Sequence, residues 1–119
     1  MSSNPVIVFG IHELDEDRWE LRRCGVPVRI QPTVFRLLLH LARHHDRVVP
    51  RRELVEAVWS RRSVSESSLL RAVSLARQAL GERAGPGSTI RTYHRRGYRF
   101  CAEIRPLEDA VQTTCGDGR

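Results

Sequence analysis

Residues 65–80 read Ser-Glu-Ser-Ser-Leu-Leu-Arg-Ala-Val-Ser-Leu-Ala-Arg-Gln-Ala-Leu. At about 100° per residue, Leu69, Val73, Ala76 and Leu80 fall on one side of a helix. Ser67, Ser68, Arg71, Ser74, Leu75 and Gln78 fall on the other. Hydroxyls, an amide and a guanidinium on one face suit the edges of nucleic-acid bases and the phosphates beside them. Leu75 offers an apolar surface to a thymine methyl. Arg71 is the only long donor central to this face, so it is the candidate for a forked contact to a base. Arg77 lies at the border, positioned to reach a phosphate or to brace the fold. The competing reading is a merely solvated helix face.

A second basic group is His94-Arg95-Arg96, in a turn between two short apolar runs. It suits phosphates or a minor groove; the bland alternative is a soluble turn. Arg61 and Arg62 precede the serine-rich helix, where a solvated loop is an equal alternative. His40 and His44 stand at i, i+4, a metal-ligand spacing. The sequence offers no obvious carboxylate or cysteine to complete a site, so no metal and no cofactor are expected. The serines lack a glycine-flanked elbow and no glycine-rich phosphate loop is present. The chain is expected not to be an enzyme.

The elements that must hold these groups follow from periodicity. Val6-Ile7-Val8-Phe9, the alternation around Trp19 and Leu21, and Val26, Val28 and Ile30 read as short strands. Turn residues Asp15-Glu16-Asp17 and Cys24-Gly25 separate them. Pro27 belongs on an edge strand or at a bulge, because it has no N–H for a ladder. The period then changes. Pro32 suits the first turn of a helix, and Phe35, Leu38, Leu39 and Ala42 form its apolar stripe. His44-His45-Asp46 closes it. Val48-Val49 is a short extended piece. A second helix over Arg51–Trp59 buries Leu54, Val55 and Val58. Ser65 is the N-cap of the third helix, with Val64 and Leu69 as a hydrophobic staple, and Gly81 stops it. After a loop containing Gly85-Pro86-Gly87, residues 89–93 and 98–102 read as a hairpin. Strands, three helices and a basic hairpin make a helix-turn-helix with a wing beside it.

The charge agrees with this. The formal net charge is +6, and every basic residue apart from histidine is arginine. Between Arg36 and Arg99 there are 14 arginines against five acids, a net +9. The N-terminal arginines are balanced by Glu13, Asp15, Glu16, Asp17 and Glu20. Clustered positive charge is the footprint of a polyanion partner. No apolar run is long enough to cross a bilayer, which needs roughly 20 residues, and the N-terminus does not resemble a secretory signal. The expectation is a cytoplasmic protein with no membrane partner. Cys24, Cys101 and Cys115 are widely spaced and are expected to be reduced thiols.

From about Val6 to Ala102 the chain resembles the OmpR/PhoB-type winged-helix DNA-binding domain of bacterial transcription regulators. The phrases that carry the resemblance are Val26–Ile30, Phe35–Leu38, Arg47–Leu54, Ala57-Val58-Trp59, Val64-Ser65-Glu66, Ala76–Glu82, Ile90-Arg91-Thr92 and Gly97–Phe100, in order and at family-like spacing. Ala76 and the Gly81-Glu82 pair resemble a variant that stands at the N-terminus of a regulator with no receiver in front.

The resemblance implies an α+β winged helix-turn-helix fold: an N-terminal four-stranded antiparallel sheet, three helices and a C-terminal β-hairpin wing. It implies double-stranded DNA as partner, with the third helix in the major groove and the wing at the minor groove. Trp59 and Thr92 join the expected phosphate contacts on this ground, beside Ser67, Ser68, Arg71, Ser74, Leu75, Arg77, Gln78, His94, Arg95 and Arg96. Three positions depart from the family pattern. Pro50 stands where a helix-capping serine is usual, Arg95 where a small residue is common, and Tyr93 where a small β-branched residue is usual. Residues 1–104 are expected to form the domain and 105–119 a flexible tail or the start of a linker. A free monomer that pairs on DNA is expected. The alternative function is a protein-interaction module docking RNA polymerase or another regulator.

Overall fold

A computed structural model describes residues 6–59, 65–82 and 88–104. Arg61, Arg62, the Val64 staple, the Gly85-Pro86-Gly87 loop and the tail from 105 onward lie outside the described residues. The chain divides into two compact units, one holding the residues up to Arg29 and from Glu103, the other Ile30–Ala102.

The first unit is a meander of β1 (Ile7–Phe9), β2 (His12–Asp15), β3 (Glu20–Arg23) and β4 (Val26–Val28), antiparallel and in that order. Leu14 pairs with Leu21, and both are fully buried together with Val8 and Phe9. Pro27 sits on β4, an edge strand, as its missing N–H requires. The sequence pattern passes over β2, because His-Glu-Leu-Asp holds a single aliphatic residue. Trp19 is not in a strand: it occupies a turn with φ 56° and is 42% exposed. Three acids of this unit gather on one arginine. Arg22 donates to Glu13 Oε1 at 2.9 Å, Glu20 Oε1 at 2.7 Å and Asp15 Oδ2 at 3.3 Å. Burial works against its charge, but these hydrogen bonds outweigh it and raise the pKa. Cys24 is disulfide-bonded, contrary to the expected thiol, while Cys101 is free and exposed.

The second unit holds α1 (Pro32–Arg43), α2 (Arg51–Trp59), α3 (Glu66–Ala79), and the hairpin of β5 (Ile90–Tyr93) and β6 (Gly97–Phe100). Pro32 opens α1, and the Phe35 N–H donates to the Gln31 carbonyl at 3.0 Å. Val34, Phe35, Leu37, Leu38, Leu39, Leu41 and Ala42 are all buried, more than one stripe, because α1 packs against both α2 and α3. Each fully buried leucine stabilises the fold by about 1.5–3 kcal/mol. In α2, Leu54 and Val58 are buried and Val55 is half-buried. Its first bond is closed by the Pro50 carbonyl, which accepts from Leu54 N–H at 3.1 Å. Ser65 caps α3, its hydroxyl accepting from Ser68 N–H at 3.2 Å. At the other end Gly81 has φ 73° and donates to the Gln78 carbonyl, and Glu82 N–H donates to Arg77. This is a Schellman stop.

The hairpin is tied to the segment before α2. Val49 N–H donates to Tyr98 O at 2.7 Å, and Tyr98 N–H returns to Val49 O at 3.0 Å. Gly97 allows this approach. Its φ is 141°, and a Cβ there would overlap the Val49 carbonyl oxygen and lie 2.8 Å from the carbonyl carbon and 2.9 Å from Pro50 Cα. These are backbone atoms that cannot swing aside.

A second tie joins α1 to α2. Glu53 accepts from Arg47 twice, at 3.0 Å on Oε1 and 2.6 Å on Oε2, and its Oε2 lies 2.8 Å from His40 Nε2. The hydrogen bond from Arg47 is the main cause that draws the Glu53 carboxyl down to about 2.

Gly97→Ala is expected to destabilise the chain by about 1–3 kcal/mol through overpacking and backbone strain, read as a lower denaturant midpoint. The Glu53 carboxyl has a folded pKa below its ordinary value of 4.5. Its contribution is therefore present above about pH 4.5 and is lost as pH falls toward about 2. Glu53→Gln should lower the thermal midpoint at neutral pH, and its difference from the parent should shrink across that window. A constant difference from pH 7 to pH 2 would show that the ion pair is not its source.

Candidate nucleic-acid interface

Ser67, Ser68, Arg71, Ser74 and Gln78 are exposed along α3, while Leu75 and Arg77 are half-buried. The Ser67 and Ser68 hydroxyls each lie 3.1 Å from the capping Ser65 Oγ, which fixes the first turn of this polar row. Leu69, Ala72, Val73, Ala76 and Leu80 turn inward and are buried. The inward stripe is wider than its pattern suggests because Ala72 is small enough to join it.

Arg77 links the helix to the hairpin. Its Nε and Nη2 donate to the Ile90 carbonyl at 3.1 and 2.9 Å, and Nη2 donates to Thr92 Oγ1 at 2.9 Å. Of the two roles open to Arg77, the structure gives it the brace. Thr92 is brought beside α3 by the same contact.

His94, Arg95 and Arg96 form the exposed tip between β5 and β6. The Arg96 N–H closes the turn onto the Tyr93 carbonyl at 2.8 Å. Arg95 has φ 65°, a left-handed conformation. That accounts for a small residue being common there: a side chain with a Cβ is disfavoured in this region. Trp59 is half-buried at the end of α2.

A cleft of about 300 Å³ runs between the start of α2, α3 and the hairpin, lined by Arg51, Leu70, Thr92, Tyr93, Arg95 and Tyr98 among others. Arg51 and Leu70 were not among the expected site residues. Leu70 is 51% exposed. It lies three residues after Ser67 and four before Ser74, so the helical wheel places it on the polar side. Arg51 and Arg52 stand in the first turn of α2, at the positive end of its dipole, where basic residues are unfavourable for the helix alone. That mismatch was a legible signal. Arg91 is exposed on β5, and its guanidinium carbon lies 6.0 Å from the Tyr93 ring centre.

The sequence places no carboxylate beside the His40–His44 pair, but the fold brings one near. Glu53 reaches the pair from α2, and ligand atoms of the three residues lie within 4.8 Å of one another. Burial, then the neighbouring His40 and Arg47, lower the His44 pKa. Among the described residues no helix is long and apolar enough to cross a membrane.

Residues 25–100 match the family described as "Transcriptional regulatory protein, C terminal". The transcriptional regulatory protein CseB of Streptomyces coelicolor is 44% identical over 54 residues, 45% of this chain and 23% of CseB. The chain thus spans about a quarter of the length of the curated relatives it matches. The DNA-binding domain of Escherichia coli CadC superposes with a TM-score of 0.74 at 25% identity, covering 89% of this chain and all of that one. The DNA-binding domain of Klebsiella pneumoniae RstA, solved in complex with the RstA box, superposes with a TM-score of 0.73 at 24% identity over 82% of this chain and 98% of that one. The four-stranded sheet, the three helices and the terminal hairpin are therefore those of a winged helix, and the chain belongs to the OmpR/PhoB-type DNA-binding domain family of bacterial transcription regulators.

Proposed function

We propose that this domain binds double-stranded DNA sequence-specifically, with α3 in the major groove and the 94–96 tip at the minor groove. The observation that carries this reading is the Arg77 brace. It holds the exposed row Ser67, Ser68, Arg71, Ser74 and Gln78 in fixed relation to the wing. Leu75 adds an apolar contact to the row. Arg71 reads a guanine edge. Thr92 and Trp59 supply phosphate hydrogen bonds. Arg95 and Arg96 hold phosphate or the minor-groove floor, with His94 beside them. RstA, which shares the fold, is solved in complex with the RstA box, and that supports DNA as the partner here. In this reading the domain is residues 1–104, and 105–119 form a tail or the start of a linker.

Positioning and reading separate experimentally. A duplex selected from a randomised pool is compared with its scrambled form over a salt series. Six phosphate contacts give a slope of log affinity against log salt of roughly −5. Arg71→Ala should cost about 1–3 kcal/mol on the selected duplex and relax preference at one position. Arg96→Ala should weaken both duplexes evenly and reduce the slope by about one. An Arg71→Ala variant that keeps the full ratio of selected to scrambled affinity removes Arg71 from base reading. A flat salt response with no enriched sequence favours the protein-docking alternative.

The free domain is a monomer that pairs on repeated half-sites about one helical turn apart. Leu70 is the only exposed large apolar side chain among the described residues of 30–102, too little for a stable dimer face in that unit. Sedimentation without DNA should give the monomer mass, and two copies per duplex should appear only when both half-sites are present. A stable dimer of the free chain would overturn this.

A further inference from the structure

We propose that His40, His44 and Glu53 form a binding site for a divalent transition-metal ion of the zinc type, joining α1 to α2. His40 and His44 present their rings from adjacent turns of one helix, with ring centres 4.4 Å apart. Glu53 comes from the next helix, and its Oε2 is 2.8 Å from His40 Nε2. Ligand atoms of all three residues fit within 4.8 Å. Donors around a tetrahedral ion at about 2.0–2.2 Å lie some 3.3–3.6 Å apart. The site therefore needs only rotations of half-exposed side chains.

The donor set names the class of ion. Two imidazoles and one carboxylate suit zinc, cobalt or nickel, whereas calcium and magnesium take mostly oxygen. All three residues are half-buried, so the ion can enter and a water can take the fourth position.

Two features of the ion-free cluster must change. The hydrogen between His40 Nε2 and Glu53 Oε2 gives way to the ion, and the His40 proton moves to Nδ1. Arg47 releases Oε2 but can keep its 3.0 Å bond to Oε1, becoming an outer partner that orients the carboxylate. Its side chain is 43% exposed and has room to shift. The ion would clamp the first two helices, and the wing's attachment at Val49 lies in the segment between them.

The test is a cobalt(II) titration of the full chain, followed by visible absorption, with zinc competition and thermal melting. One ion per chain is expected, with a spectrum of nitrogen and oxygen ligation and a midpoint raised by zinc. His44→Asn and Glu53→Gln should each weaken affinity at least tenfold and abolish the zinc-dependent rise, while His45→Asn should retain both. His44→Asn is the cleaner variant, because Glu53 also accepts two hydrogen bonds from Arg47 that support the fold. Absence of binding, a thiolate-to-cobalt charge-transfer band, full affinity in His44→Asn, or equal loss in His45→Asn would each overturn the site.

Discussion

Residue 97 must be glycine if the hairpin is to lie where it does. The backbone of β6 runs so close to Val49 that no side chain fits between them, and the reward is a reciprocal pair of hydrogen bonds. This contact fixes the hairpin to the segment before α2. Arg77 fixes it again from α3, through the Ile90 carbonyl and Thr92. A hairpin alone is marginally stable in water. Held at two points, with Ile90, Tyr98 and Phe100 buried, it becomes a rigid arm. The proposed interface depends on that rigidity, because a contact to DNA is worth most when its geometry is set in advance.

Electrostatics follow the same division. Glu13, Asp15 and Glu20 of the first unit are drawn onto Arg22, and Glu53 is held by Arg47 and His40. Acids are thereby consumed in ties that shape the fold. Among the described residues, no salt bridge involves Arg71, Arg95 or Arg96. Arg71 on α3 and Arg95 and Arg96 at the wing tip are thus exposed and outside those ties.

Much of the fold was legible because it rests on local rules. Pro32 marks the start of α1, Ser65 caps α3, Gly81 ends it, and the stripe at 69, 73, 76 and 80 turns inward. What was not legible depends on partners distant in sequence. β2 is a strand because β1 and β3 flank it, not because His-Glu-Leu-Asp favours one. Trp19 alternates correctly with Leu21 but falls in the turn between β2 and β3. The role of Arg77 needs a carbonyl 13 residues away. Glu53 meets His40 across two helices, a relation that no spacing rule within one helix contains.

Three departures from local preference within residues 30–102 lie around the proposed interface. Arg95 holds a left-handed backbone that glycine would adopt without strain. Arg51 opens a helix at the end of its dipole that repels a cation. Leu70 leaves half its surface in water beside them. Each is unfavourable for the isolated domain by roughly 0.5–2 kcal/mol on general grounds. All three line one cleft between α3 and the wing. Local rules fail most often where a protein meets its ligand. A polyanion would offset the electrostatic cost at Arg51, and a base methyl would cover the leucine; the strain at Arg95 stays, and what it provides is a guanidinium held at the tip.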